Sequence, residues 1–78
     1  MYCIVEISLY PLSNNYSDEV RAFVDALSES SLDSTTTETS TVVRGDFEAV
    51  FDKLRSTIRQ SLSEGGRKAI VLKVMNAE

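Results

Sequence analysis

Apolar and polar positions alternate strictly at the start of the chain, then recur at helical spacing, and this switch of period happens twice. From Tyr2 to Tyr10 the residues are β-branched, aromatic or aliphatic, and Pro11 closes the run because it cannot donate to a strand ladder. In an extended strand Cys3, Val5, Ile7 and Leu9 point to one side, and Tyr2, Ile4, Glu6, Ser8 and Tyr10 to the other. The first set reads as core. The second mixes apolar and polar groups, as suits a sheet face that is neither wholly buried nor wholly wet.

Ser13, Asn14 and Asn15 form an expected polar turn, with Ser17 as N-cap and Asp18 and Glu19 in the first helical turn, where carboxylates complement the helix dipole. Val20, Phe23, Val24 and Leu27 then predict an amphipathic helix of about twelve residues, which Ser28 to Ser31 dissolve into a loop. Leu32 to Glu38 is rich in hydroxyls, through Ser34, Thr35, Thr36 and Thr37. Its composition resembles a linker, but threonine's β-branch favours a strand, paired with Thr39 to Arg44 through a tight connection around Glu38 to Ser40. A strand so poor in hydrophobic groups must keep a face in water or on a polar ligand, which places it at a sheet edge.

In the next strand Val42 and Arg44 share one face and Thr41, Val43 and Gly45 the other, so alternation leaves open which is core. After a turn at Gly45, Asp46 caps a second helix in which Phe47, Val50, Phe51, Leu54, Ile58 and Leu62 recur over about eighteen residues. Gly65 and Gly66 end it. Arg67 to Val74 is the last strand, with Ile70, Leu72 and Val74 on one side and Ala69, Val71 and Lys73 on the other; Asn76 to Glu78 is a short tail.

The predicted order β-α-β-β-α-β defines a single α+β domain over residues 1–78. It is a ferredoxin-like sandwich, a four-stranded antiparallel sheet with two helices on one face. Right-handed crossovers put the first and third strands in the centre and the second and fourth at the edges. The hydroxyl-rich strand therefore falls where its composition requires.

Composition narrows the function. The chain has 78 residues, and domains this short bury only about 60% of the surface they expose when unfolded, which favours a homo-oligomer, dimer or tetramer. Eight basic residues stand against twelve acidic ones, for a net charge of −4 and a pI near 4.7, so no positive field draws nucleic acid. The single cysteine, Cys3, reads as a small buried hydrophobe in a reducing compartment. No apolar run is long enough for a membrane span, and the expected location is cytoplasmic. Histidine is absent, which removes the usual general base and the commonest metal ligand. No nucleophile has a base beside it and there is no glycine-rich phosphate loop, so neither an enzyme nor a cofactor is expected.

What remains is the helix-free sheet face, with Glu6, Ser8 and Tyr10 from the first strand, hydroxyls from the second and third, and Val71 and Lys73 from the fourth. A tyrosine ring, hydroxyls and a carboxylate on a rigid sheet suit a flat polar heterocycle. On the residues alone the favoured reading is that this face packs against another subunit's sheet, with a few threonines at its rim. Arg44 has two readings, an ion-paired strand end or an anion partner at a site lip.

Two segments carry a family resemblance: I-S-L-Y-P-L at Ile7 to Leu12, and T-S-T-V-V-R-G-D-F-E-A-V-F-D at Thr39 to Asp52. The chain resembles the YkoF-like thiamine- and hydroxymethylpyrimidine-binding family. In that group an I-S-x-Y-P segment ends the first strand, and a T-x-V-x-G strand leads into a V-F-D helix start. The resemblance implies a non-catalytic binder of thiamine or its hydroxymethylpyrimidine moiety, serving vitamin B1 salvage or transport. The matching positions are Ser8, Tyr10, Thr39, Thr41 and Arg44. Ser8, Thr39 and Thr41 would hydrogen-bond the aminopyrimidine and Tyr10 would offer a ring face, and alternation adds Glu6 as a partner for the amino group or the thiazolium charge. The YkoF type proper carries two such domains in one chain; this one has one, so the resemblance implies that a homodimer reproduces the pair. A structural or regulatory oligomerisation domain with no small-molecule ligand is the competing expectation.

Overall fold

The computed structural model describes residues 1–12, 16–29 and 31–78. The expected polar turn at Ser13, Asn14 and Asn15 lies outside the described residues. The elements run β1 (Tyr2–Pro11), α1 (Tyr16–Ser28), β2 (Asp33–Thr36), β3 (Thr41–Asp46), α2 (Phe47–Ser63) and β4 (Lys68–Asn76). Strand order is β2-β3-β1-β4 with every pairing antiparallel. This is the ferredoxin-like α+β arrangement, with β1 and β3 central and β2 and β4 at the edges.

The register settles what alternation could not. Val5 pairs with Val43 and Ile7 with Thr41, so Thr41, Val43 and Gly45 lie on the helix-covered face and Val42 and Arg44 on the open one. Cys3, Val5, Ile7, Leu9 and Val43 join Phe23 and Leu27 of α1 and Val50 and Leu54 of α2 in the buried core. Thr41, 2% exposed, is buried with them.

The hydrophobic stripes are close to expectation, with local shifts. On α1, Phe23 and Leu27 are buried while Val20 and Val24 are half-buried. That helix already includes Tyr16, so Ser17 sits inside it rather than capping it. Asp46 does cap α2, its carboxylate accepting from the backbone N–H of Glu48 at 3.2 Å and Ala49 at 3.5 Å. The inner face of α2 is Val50, Leu54, Thr57 and Ser61, and Leu62 is 51% exposed. The inner positions advance by four, three and four, which rotates Leu62 outward. The helix ends on an extended Glu64 before the two glycines are reached.

Gly45 makes no turn. The strand runs through it to Asp46 with φ +154°, and a Cβ there would meet Leu32 and Val50 side-chain atoms at 3.4 Å. Glycine lets α2 leave β3 without a loop.

One buried cation joins three elements. The Lys68 side chain is 2% exposed, and its ammonium lies 3.4 Å from Glu19 of α1 and donates to the Ser61 carbonyl of α2 at 2.7 Å. The start of β4 is thereby pinned to both helices. Further along, β4 outruns them: on its helix-side face Ile70 is half-buried, but Leu72 and Val74 are 36% and 48% exposed.

Candidate functional site

β1 is longer than the strand beside it, and a site forms where they part company. β3 begins at Thr41, opposite Ile7, so among the described residues Ser8 to Pro11 have no paired strand residue on that side, while pairing continues with β4 on the other. In an antiparallel ladder successive residues turn their amides to alternate sides. The Leu12 N–H donates to the Arg67 carbonyl at 2.8 Å, and at the far end the Phe47 N–H donates to the Met1 carbonyl at 2.8 Å. This phase sends the amides of Ser8 and Tyr10 to β4 and those of Ile7 and Leu9 toward β3. Leu9 therefore aims a main-chain donor and acceptor into a gap that no strand residue fills among the described residues.

The hairpin tip bounds that gap. The Thr37 N–H donates to the Ser40 carbonyl at 2.8 Å, closing a two-residue loop of Glu38 and Thr39. The Thr37 hydroxyl also receives the N–H groups of Thr39 at 3.3 Å and Ser40 at 3.2 Å. The Ser8 hydroxyl donates to the Thr39 carbonyl at 2.9 Å, fastening the tip to β1. Thr36 and Thr41, directly opposite each other, share a hydroxyl contact of 3.2 Å.

Two hollows lie on either side of this strip. On the helix side, a cleft of about 160 Å³ runs between the hairpin and α1. Its apolar wall includes Ile7, Leu9, Val20, Phe23 and Val24; its polar rim is Thr36 to Thr41; Tyr10 and Tyr16 also line it. Both tyrosines are about half exposed, at 47% and 53%. On the open face, a shallower hollow of about 240 Å³ is lined by Glu6, Ser8, Tyr10, Thr39, Ser40, Val71 and Lys73.

The open-face hollow holds the sharpest electrostatic feature. One Glu6 oxygen accepts from the Ser40 hydroxyl at 3.0 Å, and the other is 3.3 Å from the Lys73 ammonium. The Ser40 hydrogen bond first, then hydrogen bonding and Coulombic attraction from Lys73, hold the Glu6 carboxyl below its ordinary pKa. Glu6 is thus kept as an anion, partly exposed, beside the hairpin.

Of the six residues singled out in the sequence, Ser8, Tyr10 and Thr39 line both hollows, Glu6 only the open one and Thr41 only the cleft. Thr41 is thus on the opposite face of the sheet from Glu6, because its pairing with Ile7 fixes its phase. Arg44 lines neither hollow. It pairs with Ile4, four residues from Ser8 along β1, or about 13 Å away at the usual strand rise. Its guanidinium donates to the Thr35 hydroxyl at 3.2 Å and lies 3.7 Å from the Asp33 carboxylate, which is the ion-paired reading of that residue.

Sequence reasoning missed the α1 wall of Tyr16, Val20 and Val24, together with Thr36, Thr37 and Ser40 and the Leu9 main chain. The hydroxyl run was a visible signal for the threonines. The rest depends on how α1 docks and where β3 stops.

A ferredoxin-like α+β domain with a hydroxyl-rimmed cleft at the end of its central hairpin is the class that this geometry defines. The chain matches the YKOF-related family over residues 3–74 and belongs to it. Among solved structures, a Thermotoga maritima protein assigned provisionally to thiamine biosynthesis or salvage superposes with a TM-score of 0.88 at 16% identity, covering 99% of this chain and 85% of that one. A Streptococcus pneumoniae protein gives 0.91 at 16% identity, covering 100% and 89%. A Methanocaldococcus jannaschii hypothetical protein gives 0.82 at 20% identity, covering 99% and 81%. At such identities the likeness speaks for the fold. Among curated proteins, none matches.

Proposed function

We propose that this protein binds thiamine, or its hydroxymethylpyrimidine moiety, without catalysis, and serves vitamin B1 salvage or transport in the cytoplasm as a homo-oligomer, dimer or tetramer. The observation that carries the reading is the gap beside Leu9. An aminopyrimidine edge offers a ring nitrogen that accepts and an amino group that donates, and Leu9 offers an N–H and a C=O side by side on one strand edge. Thr36 and Thr41 add hydroxyls next to them. The apolar wall from α1 and β1 suits the faces of a flat ring, and Tyr10 and Tyr16 are placed to close over it. Family membership supports the same ligand class.

Isothermal calorimetry tests it. Heat with thiamine or hydroxymethylpyrimidine, reduced in Thr41→Val and Ser8→Ala, is the expected result. No heat with either compound at millimolar concentration rejects the reading.

A second reading, an oligomerisation domain without a small-molecule ligand, is favoured by the apolar groups exposed on β4, among them Val71 at 53%, Val74 at 48% and Met75 at 57%. It expects Thr41→Val and Ser8→Ala to leave the assembly intact and no compound to bind.

A further inference from the structure

The cleft is lined by a single carboxylate, Glu38 at the tip of the hairpin, and by no lysine or arginine among the described residues. Across the strip formed by Ser8 and Thr39, the open-face hollow holds Glu6 as a second anion. Lys73, which lines that same hollow, lies 3.3 Å from Glu6, so its charge is already answered.

Other cations nearby are also engaged or turned elsewhere. Arg44 and Arg67 line neither hollow, and Lys68 is buried against Glu19 and the Ser61 carbonyl. Arg21 lies in the next hollow along α1, in the company of Asp18 and Asp25. The positive pole of α1, whose first residue Tyr16 lines the cleft, is met by Asp18 and Glu19 in its first turn. Ser13, Asn14, Asn15 and Ser30, outside the described residues, carry no charge by type.

We infer that this site selects its ligand by charge, taking neutral or cationic heterocycles and rejecting their phosphate esters, with Glu38 as the specificity-determining residue. The inference rests on the ligand part of the reading above and adds to it which chemical form is bound.

A phosphate monoester carries a charge of about −1.5 to −2 at neutral pH. Proteins hold such a group with arginine forks, with lysine or with converging backbone N–H groups. Here the main-chain groups offered at the gap are the Leu9 N–H and, beside it, the Leu9 carbonyl, which suit an aminopyrimidine edge and not a set of phosphate oxygens. A cleft of about 160 Å³ keeps a bound group within about a Debye length, about 8 Å at physiological salt, of the hairpin tip. A ligand phosphate is therefore repelled by Glu38 and finds no cation to offset the loss of its water. A thiazolium gains from the same field.

Calorimetry with four compounds reads the selectivity directly: thiamine, thiamine monophosphate, hydroxymethylpyrimidine and hydroxymethylpyrimidine monophosphate. The ester of whichever parent binds should bind at least about tenfold more weakly than that parent, the equivalent of about 1.4 kcal/mol. Glu38→Gln should narrow the ratio, and Glu38→Lys should narrow it further by strengthening the ester. Glu38 is exposed, so neither change reaches the core. Asp52→Lys makes the same change of net charge at an exposed position of α2 that lines neither hollow, and it should leave the ratio as in the wild type.

An ester that binds as tightly as its parent, or more tightly, overturns the inference. So does a ratio that Glu38→Lys leaves unchanged, or one that Asp52→Lys moves as far, which would make it a property of the whole acidic chain. In each of these outcomes the parent compound still binds and the proposed function stands. No heat with any of the four compounds rejects the proposed function and this inference with it.

Discussion

The two edges of the sheet are built from opposite materials. β2 has four residues, all polar, paired with β3 at four positions and tied further by side chains: Arg44 to Thr35 and Asp33, and Thr36 to Thr41. β4 has nine residues, mostly apolar, and is held by nine paired positions along β1. One edge spends its side chains on hydroxyl chemistry and stops short, leaving a gap beside Leu9. The other fills its ladder on the inner side and leaves an apolar, hydrogen-bond-hungry row outside. The difference teaches that a small domain can divide its labour across a single strand: ligand-type groups gather where β1 loses a partner, and contact-type groups where an edge strand outruns the helices.

The largest effect should come from the residue that serves both edges. Ile7 is 1% exposed and pairs with Thr41 on one side and Leu72 on the other. Ile7→Ala should lower stability in urea unfolding by about 2–5 kcal/mol, and calorimetric binding should fall with it. If binding disappears while the unfolding midpoint is unchanged, β1 is not the shared support described here.

Next in size is the response to concentration. Wild-type thermal unfolding should rise in midpoint as protein concentration increases, because association stabilises the folded state by mass action. Leu72→Lys should abolish that dependence and Thr35→Lys, on the other edge, should keep it. The reverse pattern would exchange the roles of the two edges.

A smaller effect is expected at the hydroxyl edge. Thr41→Val keeps the shape and removes the hydroxyl that meets Thr36. It should cost about 0.5–1.5 kcal/mol of stability, the usual net value of one hydrogen bond, while weakening ligand binding about five-fold, which corresponds to about 1 kcal/mol.

The smallest effect is electrostatic. Since the folded state lowers the Glu6 pKa, the favourable Ser40 and Lys73 links are fully present above the ordinary glutamate range and are lost only as pH falls through the lowered value. A carboxyl-carbon NMR titration should place the Glu6 midpoint below that of an unperturbed glutamate. Ser40→Ala and Lys73→Ala should each raise it, since the Ser40 hydrogen bond and the Lys73 hydrogen bond and charge all lower it; a midpoint that neither substitution moves would mean that these two partners do not govern this group.

Much of the architecture was legible in the residues. Period two from Tyr2 to Tyr10, period 3.6 through Phe23 and Leu27 and again through Val50 and Leu54, and the hydroxyl run at Ser34 to Thr37 gave the element order and the edge position of β2. Their physical basis is local: strand and helix repeats bring the same side chains to one face wherever the segment is placed. Glu6, Ser8 and Tyr10 were assigned to one face by the same alternation, and all three line the open-face hollow.

The faces of β3 were not legible. Thr41, Val42 and Val43 put a valine on each side, and only pairing with Val5 and Ile7 decided that Thr41 turns to the helices. Nor could the chain announce that Arg44 is occupied by Asp33 and Thr35, that α1 supplies Tyr16 and Val24 to a cleft, or that Leu72 and Val74 escape helical cover. Periodicity along a segment determined which side chains travel together, because backbone geometry repeats on its own. Where β3 stops against β1, and how far the helices reach across β4, belong to the packing of elements distant in sequence, and those two lengths create the cleft and the exposed edge.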